Sequence, residues 1–220
     1  MLVVGLTGGI ASGKTTVARM LKKMGARIID ADALSREAMV PHARCWKQVV
    51  ESFGEAILRS DRTIDRKKLA AQIFSHPAKR MLLNRIVHPW IRKRIQEMIT
   101  RIAREDPSAL VIIDAALLIE TGMYKDYDKL VVVAADEGAQ LARLVRRNHL
   151  SRKDARSRIR AQLPLGRKKK FADYVISNQD SLEHTRRQVR ALLQELGALR
   201  PISPSKHGRS GKGGDVKKRQ

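Results

Sequence analysis

Short apolar runs alternate with longer amphipathic stretches along this chain of 220 residues. Runs rich in Val, Ile and Leu predict five β-strands, at residues 2–6, 27–30, 110–113, 130–134 and 174–176. Apolar residues with the i, i+3, i+4, i+7 spacing of a helix extend from Val17 to Met24 and from Val189 to Leu196. Strands that alternate with helices predict an α/β fold, with a parallel five-stranded sheet flanked by helices.

Two long departures from this alternation predict segments added to the sheet. Residues 33–107 carry a helical pattern without a strand signal, which predicts a helical insertion with room for a substrate. Residues 148–170 are dense in Arg and Lys and short of large apolar side chains, so we expect a mobile basic lid. The core of the fold then comprises residues 1–32, 108–147 and 171–199.

The last segment, residues 200–220, contains Gly, Ser, Pro and Lys with almost no apolar side chains. It cannot bury enough apolar surface to offset the entropy of ordering, which predicts a disordered basic tail. Non-specific contact with RNA or another polyanion is open to this tail, but a solvated extension fits the same composition.

A phosphate-binding motif occupies residues 8–15, whose sequence GGIASGKT fits G-x-x-x-x-G-K-[ST]. It follows the first predicted strand and precedes an amphipathic helix, the context in which backbone N–H groups surround phosphate oxygens. Lys14 would reach the β- and γ-phosphates, and the Thr15 hydroxyl would bind Mg²⁺. The motif alone leaves ATPase motors, GTPase switches and small-molecule kinases open. Since the sequence has no NKxD-type motif and is short for a motor, a small kinase with an insertion and a lid fits best.

Carboxylates at predicted strand ends supply the acidic groups that phosphoryl transfer needs. Asp114 ends the third strand, where it would hold Mg²⁺ directly or through water. Asp32 follows the second strand and would accept the proton of an acceptor hydroxyl, while Asp30 would support the site. A simple helix cap is the alternative for Asp32 and for Asp114.

Positive charge for the γ-phosphate is predicted from the basic segment and the helix before it. Arg143 and Arg147 stand at i, i+4 on one helical face, and a solvated face is the alternative for either one. Lys168, Lys169 and Lys170 are expected to be surface charges.

Charge and composition narrow the picture further. Lys and Arg number 45 against 22 Asp and Glu, a formal net charge of +23 that attracts polyanions such as nucleic acid or phosphorylated small molecules. Cys45 is the only cysteine and is predicted to be a small buried hydrophobe in a reducing compartment. The longest apolar stretch, 109–119, is too short to span a bilayer, and the first residues lack a signal-peptide pattern. A cytoplasmic protein without a membrane helix is therefore expected.

Six longer segments resemble one known family, that of dephospho-coenzyme A kinase. They are GLTGGIASGKTTVA, IIDADALSRE, LNRIVHPWIR, IDAALLIE, QLARLVRRNHLSRKDARSRIRAQLP and ADYVISN, within residues 2–194. The P-loop alone is generic, but DAD followed by LNxIxHP and RLxxRNxxSxxDAxxRIxxQ is specific. The resemblance implies ATP-dependent phosphorylation of the ribose 3′-hydroxyl of dephospho-coenzyme A, giving coenzyme A and ADP. It implies a P-loop core, an acceptor-binding insertion and a lid, with ATP, Mg²⁺ and dephospho-coenzyme A as ligands.

We expect the protein to be a monomer or weak oligomer. We expect it to bind neither a membrane nor a specific nucleic acid.

The resemblance also implies roles for individual residues. The residues implied to bind ATP are Gly8, Gly9, Ala11, Ser12, Gly13, Lys14, Thr15, Thr16 and, near the adenine, Asn178. Thr7 and Asp32 would lie by the acceptor, and Arg143 would face the phosphates from the lid side, with Arg147 near the substrate. His88 would help to seat the acceptor, or else would be a helix-end residue fixed by Pro89.

Two departures from the family pattern affect the geometry expected at the site. The family usually has D-x-P-L-L where this chain has DAALL at 114–118, which changes the turn over the acceptor. Ala11 replaces a common glycine, which the backbone tolerates if φ is negative. The alternatives are a P-loop kinase of another small alcohol or nucleoside, and a basic NTP-dependent RNA-binding protein. The RNA-binding alternative lacks support because only 4% of residues are aromatic, too few for a platform on which bases could stack.

Overall fold

One parallel sheet, with strand order β2-β3-β1-β4-β5, forms the centre of the protein. The structure is a computed structural model and describes residues 1–74 and 76–199. The strands are β1 (Leu2–Gly8), β2 (Arg27–Asp30), β3 (Leu110–Asp114), β4 (Lys129–Ala134) and β5 (Tyr174–Ser177). All five predicted strands are confirmed, and so is the α/β class with flanking helices.

Helices cover both faces of this sheet. In the described ranges they are α1 (Lys14–Lys23), α2 (Ala31–Glu37), α3 (Arg44–Phe53), α4 (Arg66–Phe74), α5 (Pro77–Glu105), α6 (Glu137–Asn148), α7 (Arg152–Arg160), α8 (Leu165–Lys169) and α9 (Leu182–Ala198). Short 3-10 helices at Glu55–Ile57 and Met123–Asp126 complete the list. The two amphipathic stretches predicted from Val17 and Val189 are α1 and α9.

Two hydrophobic clusters, one on each face, bury the sheet. Along β3, Leu110 and Ile112 pack with α1 and α9, while Val111 and Ile113 pack with the helices of the insertion. All four side chains are at most 1% exposed. A strand buried on both faces needs an uninterrupted apolar sequence, which is why these strands were visible in the sequence.

The register of the strands brings their carboxyl ends to one edge. Asp114 pairs with Leu6 of β1 on one side and with Asp30 of β2 on the other. Gly8 pairs with Val133 of β4, one residue before that strand ends. The loops that carry the phosphate motif and the acidic residues therefore begin side by side.

The insertion predicted at residues 33–107 is helical, and its longest helix, α5, has 29 residues. Pro89 lies inside α5, so the interpretation of His88 as a helix-end residue is wrong. A proline removes one helical hydrogen bond. The helix continues because Val87, Ile91 and Ile95, on both sides of the proline, are buried in the core.

The basic segment at 148–170 contains α7 and α8, and its mobility stays a prediction. Ala155 of α7 is fully buried and clusters with Leu141 and Leu144 of α6. Lys169 and Lys170 are exposed as predicted, but Lys168 is 0% exposed, so its assignment to the surface was wrong. The reason is an ion pair with Glu120, 2.8 Å from Nζ to Oε1, which the sequence pattern did not indicate.

The remaining expectations concern the membrane, the cysteine and the tail. No helix within residues 1–74 and 76–199 is long and apolar enough to cross a membrane. Cys45 is a buried free thiol, as predicted, and burial raises its pKa. The tail predicted at 200–220 lies outside the described residues.

Candidate active site

The glycine-rich loop between β1 and α1 lines a groove of about 890 Å³. The residues named above for ATP all line it: Gly8, Gly9, Ala11, Ser12, Gly13, Lys14, Thr15, Thr16 and Asn178. Gly13 has φ of 94°, and a Cβ at this position would lie 1.8 Å from Asn178 Nδ2. Glycine is required there both for its left-handed backbone and for space.

Ala11 departs from the expected backbone of this loop. Its φ is +57°, in the left-handed region, so the condition of a negative φ is not met. The curl of the loop imposes this conformation, which costs an alanine roughly 1–2 kcal/mol. Arg143 of α6 offsets the strain, since its Nη1 donates to the carbonyl oxygens of Ala11 at 3.2 Å and Ser12 at 3.3 Å.

Asn178, just past β5, holds the loop from behind. Its Nδ2 donates to Ser12 O at 2.8 Å, and its Oδ1 accepts from Thr185 Oγ1 at 3.0 Å. Its own carbonyl oxygen accepts from Arg143 Nη2 at 2.6 Å. The phosphate loop is therefore fixed by α6, α9 and the end of β5 before any ligand binds.

Two residues of this support were not assigned a role from the sequence. Thr185 is fully buried on α9, and Gln162 Oε1 accepts from the backbone N–H of Ile10 in the loop at 2.6 Å. A signal for Thr185 existed, because it continues the buried stripe of Val189 and Leu192 and is the polar member of that stripe. Gln162 had no local signal beyond its place in the family motif.

Lys14 lies between two carboxylates at the edge of the sheet. Its Nζ donates to Asp114 Oδ1 and lies 3.4 Å from Asp32 Oδ2. The Lys14 and Asp114 side chains are only 14% and 10% exposed, whereas Asp32 is 49% exposed. Burial raises the pKa of Asp114, with Lys14 acting in the opposite direction and Asp30 and Asp32 adding to the rise.

These groups also fit a magnesium ion. The donors available are the Asp114 carboxylate and the Thr15 hydroxyl, both hard oxygen ligands of the kind Mg²⁺ prefers. Within residues 1–74 and 76–199, no group of three or more His, Cys, Asp and Glu could hold a metal unaided. Such a sparse protein donor set suits an ion that keeps water ligands and shares nucleotide phosphates.

A second cavity adjoins the acidic cluster on the side of the insertion. It has a volume of about 140 Å³, and its lining includes Asp32, Ser35, Asn84, His88 and Leu117. Burial lowers the pKa of His88, and nearby Arg92 lowers it further, which favours a neutral imidazole. Asp32 faces this cavity and also lies beside Lys14, so it stands between the two pockets.

Three residues named from the sequence have surroundings that the sequence did not indicate. Thr7 is fully buried and donates to Ala116 O at 3.1 Å. Arg147 lines the groove of the phosphate loop and is exposed. Arg143 lines that groove too, but all its hydrogen bonds in the described part of the chain go to backbone carbonyls of the loop and of Asn178.

A parallel sheet with a phosphate-binding loop after its central strand, and a second pocket across an acidic residue, defines a P-loop kinase. The family model described as "Dephospho-CoA kinase" matches residues 2–184. The chain belongs to this family.

Individual relatives agree with this assignment. The dephospho-CoA kinase of Geobacter metallireducens is 46% identical over 195 residues, which cover 89% of this chain and 96% of the relative. A crystal structure from Thermus thermophilus has 33% identity and a TM-score of 0.75, covering 89% of this chain and 97% of that one. The dephospho-CoA kinase of Campylobacter jejuni has 26% identity, a TM-score of 0.65 and the same coverage.

We expect Gly13→Ala to weaken ATP binding by more than about tenfold. The added Cβ would collide with Asn178 and push its amide away from Ser12 O. The matched control is Gly25→Ala, since Gly25 has φ of 95° but nothing within 4 Å of a Cβ. It should lose folding stability through backbone strain but keep its ATP affinity, measured by titration calorimetry. Equal losses of affinity in both variants would contradict the proposed clash.

We expect Asp114→Asn to make the free protein more stable, relative to wild type, as pH rises. Because the folded pKa of Asp114 lies above its unfolded value, stability present in acid is lost when the carboxyl ionises. Asn stays neutral and avoids this loss. Urea unfolding between about pH 4 and about pH 7 measures the difference. The kcat of Asp114→Asn should fall on the order of 10²-fold or more, since a carboxylate that could hold Mg²⁺ is gone.

The control for this pH dependence is Asp61→Asn. Hydrogen bonds from the side chain and backbone N–H of Thr63 lower the pKa of Asp61, so its ionised form stabilises the fold above its unfolded pKa. This variant should therefore lose stability relative to wild type as pH rises. The same sign for both variants would show that the Asp114 carboxylate is not penalised by burial.

Proposed function

We propose that the protein phosphorylates the 3′-hydroxyl of the ribose of dephospho-coenzyme A with ATP, forming coenzyme A and ADP. The observation that carries the proposal is the position of Asp32, which lies 3.4 Å from the phosphate-loop lysine and also lines the cavity of the insertion. A kinase needs a carboxylate that adjoins both the phosphate site and the acceptor site, because the γ-phosphate and the acceptor oxygen must meet beside a base. Membership of the dephospho-CoA kinase family supports this choice of acceptor.

In this mechanism ATP lies along the groove of the phosphate loop, with backbone N–H groups and the Lys14 ammonium around its phosphates. The Asp32 carboxylate accepts the proton of the acceptor hydroxyl as that oxygen bonds to the γ-phosphorus. The bond between the γ-phosphorus and the oxygen bridging to the β-phosphate breaks, and ADP leaves. Thr15 and Asp114 would hold Mg²⁺, which supplies charge neutralisation for the phosphates when bound.

Lys14 and the arginines have complementary duties in this proposal. In the free protein the Lys14 ammonium pairs with Asp114 and Asp32, and the phosphates of ATP then compete for it. Arg143 keeps the loop in shape and lines its groove, while exposed Arg147 extends positive charge along the groove. Asn178 borders the same groove, where we place the adenine.

The insertion at 33–107 would seat the acceptor, and the segment at 148–170 would close over the nucleotide. The cavity of about 140 Å³ suits the reacting end of the acceptor, while the rest of a coenzyme-sized molecule would extend across the insertion. Because burial lowers the pKa of His88, it would contact the acceptor by hydrogen bonding rather than by charge. We place the reaction in the cytoplasm, since a single cysteine cannot form an intramolecular disulfide and such usage fits a reducing compartment.

Release of ADP from ATP and Mg²⁺ with a panel of acceptors tests the reaction. We expect turnover with dephospho-coenzyme A and none with adenosine, uridine, AMP or shikimate. Lys14→Ala is the control and should abolish turnover, since it removes the ammonium that neutralises phosphate charge. Turnover confined to another alcohol would leave the P-loop kinase but refute this acceptor.

We expect Asp32→Asn to lower kcat on the order of 10²-fold or more with little change in the KM for ATP. Asn retains the shape of the side chain but cannot take up the proton. Asp30→Asn is the matched control, because Asp30 caps α2 by accepting from Ala33 N at 2.8 Å and Asn caps helices equally well. Steady-state kinetics of both variants decide the point, and an unchanged kcat in Asp32→Asn would leave Asp32 a structural residue.

A further inference from the structure

Lys168 is a fully buried lysine that the mechanism above does not use. Its Nζ lies 2.8 Å from Glu120 Oε1 and donates to Ala116 O at 3.3 Å. Its neighbours Lys169 and Lys170 are exposed. Since a buried ammonium is costly unless it is paired and hydrogen-bonded, the location of Lys168 depends on these two partners.

The Ala116 carbonyl receives a second side-chain donor. Thr7 Oγ1, at the end of β1, donates to the same oxygen at 3.1 Å. One residue earlier, Ala115 N donates to Leu6 O at 3.1 Å. The turn at 115–118 is therefore held at its first two residues, by β1 from one side and by Lys168 from the other.

This turn separates the two pockets. Ala116 lines the groove of the phosphate loop, whereas Ala115, Leu117 and Leu118 line the acceptor cavity. A shift of the Ala116 carbonyl would move the three acceptor-side residues, because they adjoin it in the chain. The hydrogen bonds to the Ala116 carbonyl therefore help to set the position of this wall.

The segment at 162–168 joins the same wall to the phosphate loop. Leu163 N donates to Glu120 Oε1 at 3.2 Å, so Glu120 receives both this N–H and the Lys168 ammonium. Gln162 Oε1 accepts from Ile10 N of the phosphate loop at 2.6 Å. The end of the basic segment is thereby fastened both to the nucleotide side and to the wall between the pockets.

We propose that Lys168 is a positioning residue for the acceptor: its ammonium holds the Ala116 carbonyl and thereby sets the wall of the acceptor cavity. The inference rests on the proposed function for the identity of that acceptor. A turn without proline has no ring to lock its φ angles, so hydrogen bonds carry more of the restraint. At the Ala116 carbonyl, Lys168 and Thr7 donate these bonds.

The first test compares Lys168→Met with Lys169→Met in steady-state kinetics on the full-length protein. Methionine keeps an unbranched apolar stem but removes the ammonium. We expect Lys168→Met to raise the KM for dephospho-coenzyme A by about tenfold or more while the KM for ATP changes less than about twofold. Lys169→Met, on the exposed side of α8, should leave both constants unchanged. A normal KM for dephospho-coenzyme A in a folded Lys168→Met variant overturns the proposal.

A second variant removes the effect of an unpaired Glu120. Lys168→Met leaves that carboxylate without its cation, which by itself destabilises the fold. The double variant Lys168→Met/Glu120→Gln neutralises both partners and should recover thermal stability. Its KM for dephospho-coenzyme A should stay high, because the Ala116 carbonyl still lacks the hydrogen bond from Lys168 and keeps only the one from Thr7. Recovery of stability and KM together would reduce Lys168 to a structural role and refute the proposal.

Rescue by proline tests the position of the turn directly. Within residues 1–74 and 76–199, Ala116 N donates no hydrogen bond, so Ala116→Pro removes none. In the Lys168→Met/Ala116→Pro variant the ring restricts the turn, and we expect the KM for dephospho-coenzyme A to return toward that of wild type. Failure of rescue, with Ala116→Pro alone fully active, would contradict the proposed role of the turn.

A readout without any acceptor separates this inference from the proposed function. Amide hydrogen exchange at 115–121 should be faster in Lys168→Met than in wild type and unchanged in Lys169→Met. If wild type fails to phosphorylate dephospho-coenzyme A, the proposed function is wrong, and exchange still decides whether Lys168 holds the turn. Unchanged exchange in Lys168→Met refutes the inference whatever the acceptor is.

Discussion

The parallel alignment of all five strands is the constraint on which the site depends. Because every strand runs in the same direction, the carboxyl ends of β1, β2 and β3 open at one edge. The pairing of Asp114 with Leu6 and with Asp30 then places the acidic residues beside the phosphate loop. Residues from distant parts of the chain therefore line the groove of the phosphate loop and the cavity beside Asp32.

The phosphate loop is organised by the protein rather than left for the nucleotide to order. Arg143 and Asn178 occupy the carbonyl side of the loop, and buried Thr185 orients Asn178. The carbonyl contacts compensate for the left-handed backbone of Ala11 and leave the N–H groups for phosphate oxygens. Preorganisation of this kind lowers the entropy lost on binding ATP.

The charged groups at the edge of the sheet are arranged to bind ligands, although burying a carboxylate there lowers the stability of the free protein. Burial raises the pKa of Asp114, and the Lys14 ammonium beside it counteracts only part of that rise. Bound Mg²⁺ would neutralise the charge of the Asp114 carboxylate, and the phosphates of ATP would neutralise that of the Lys14 ammonium. On the far side of Asp32, the cavity is lined largely by apolar side chains, and burial lowers the pKa of His88 there.

The five strands, the P-loop and the acidic strand ends could be predicted from the sequence, because apolar periodicity and the spacing of a loop motif are local properties. Features that depend on distant partners became evident only in the folded chain. Ser12 and Asn178 are 166 residues apart, and Lys168 and Ala116 are 52 apart. Lys168 has the local pattern of a surface lysine, and only the folded chain brings Glu120 and a backbone carbonyl to its ammonium. The helix through Pro89 was likewise decided by packing on both sides of the proline, since burial of apolar side chains there outweighs one lost hydrogen bond.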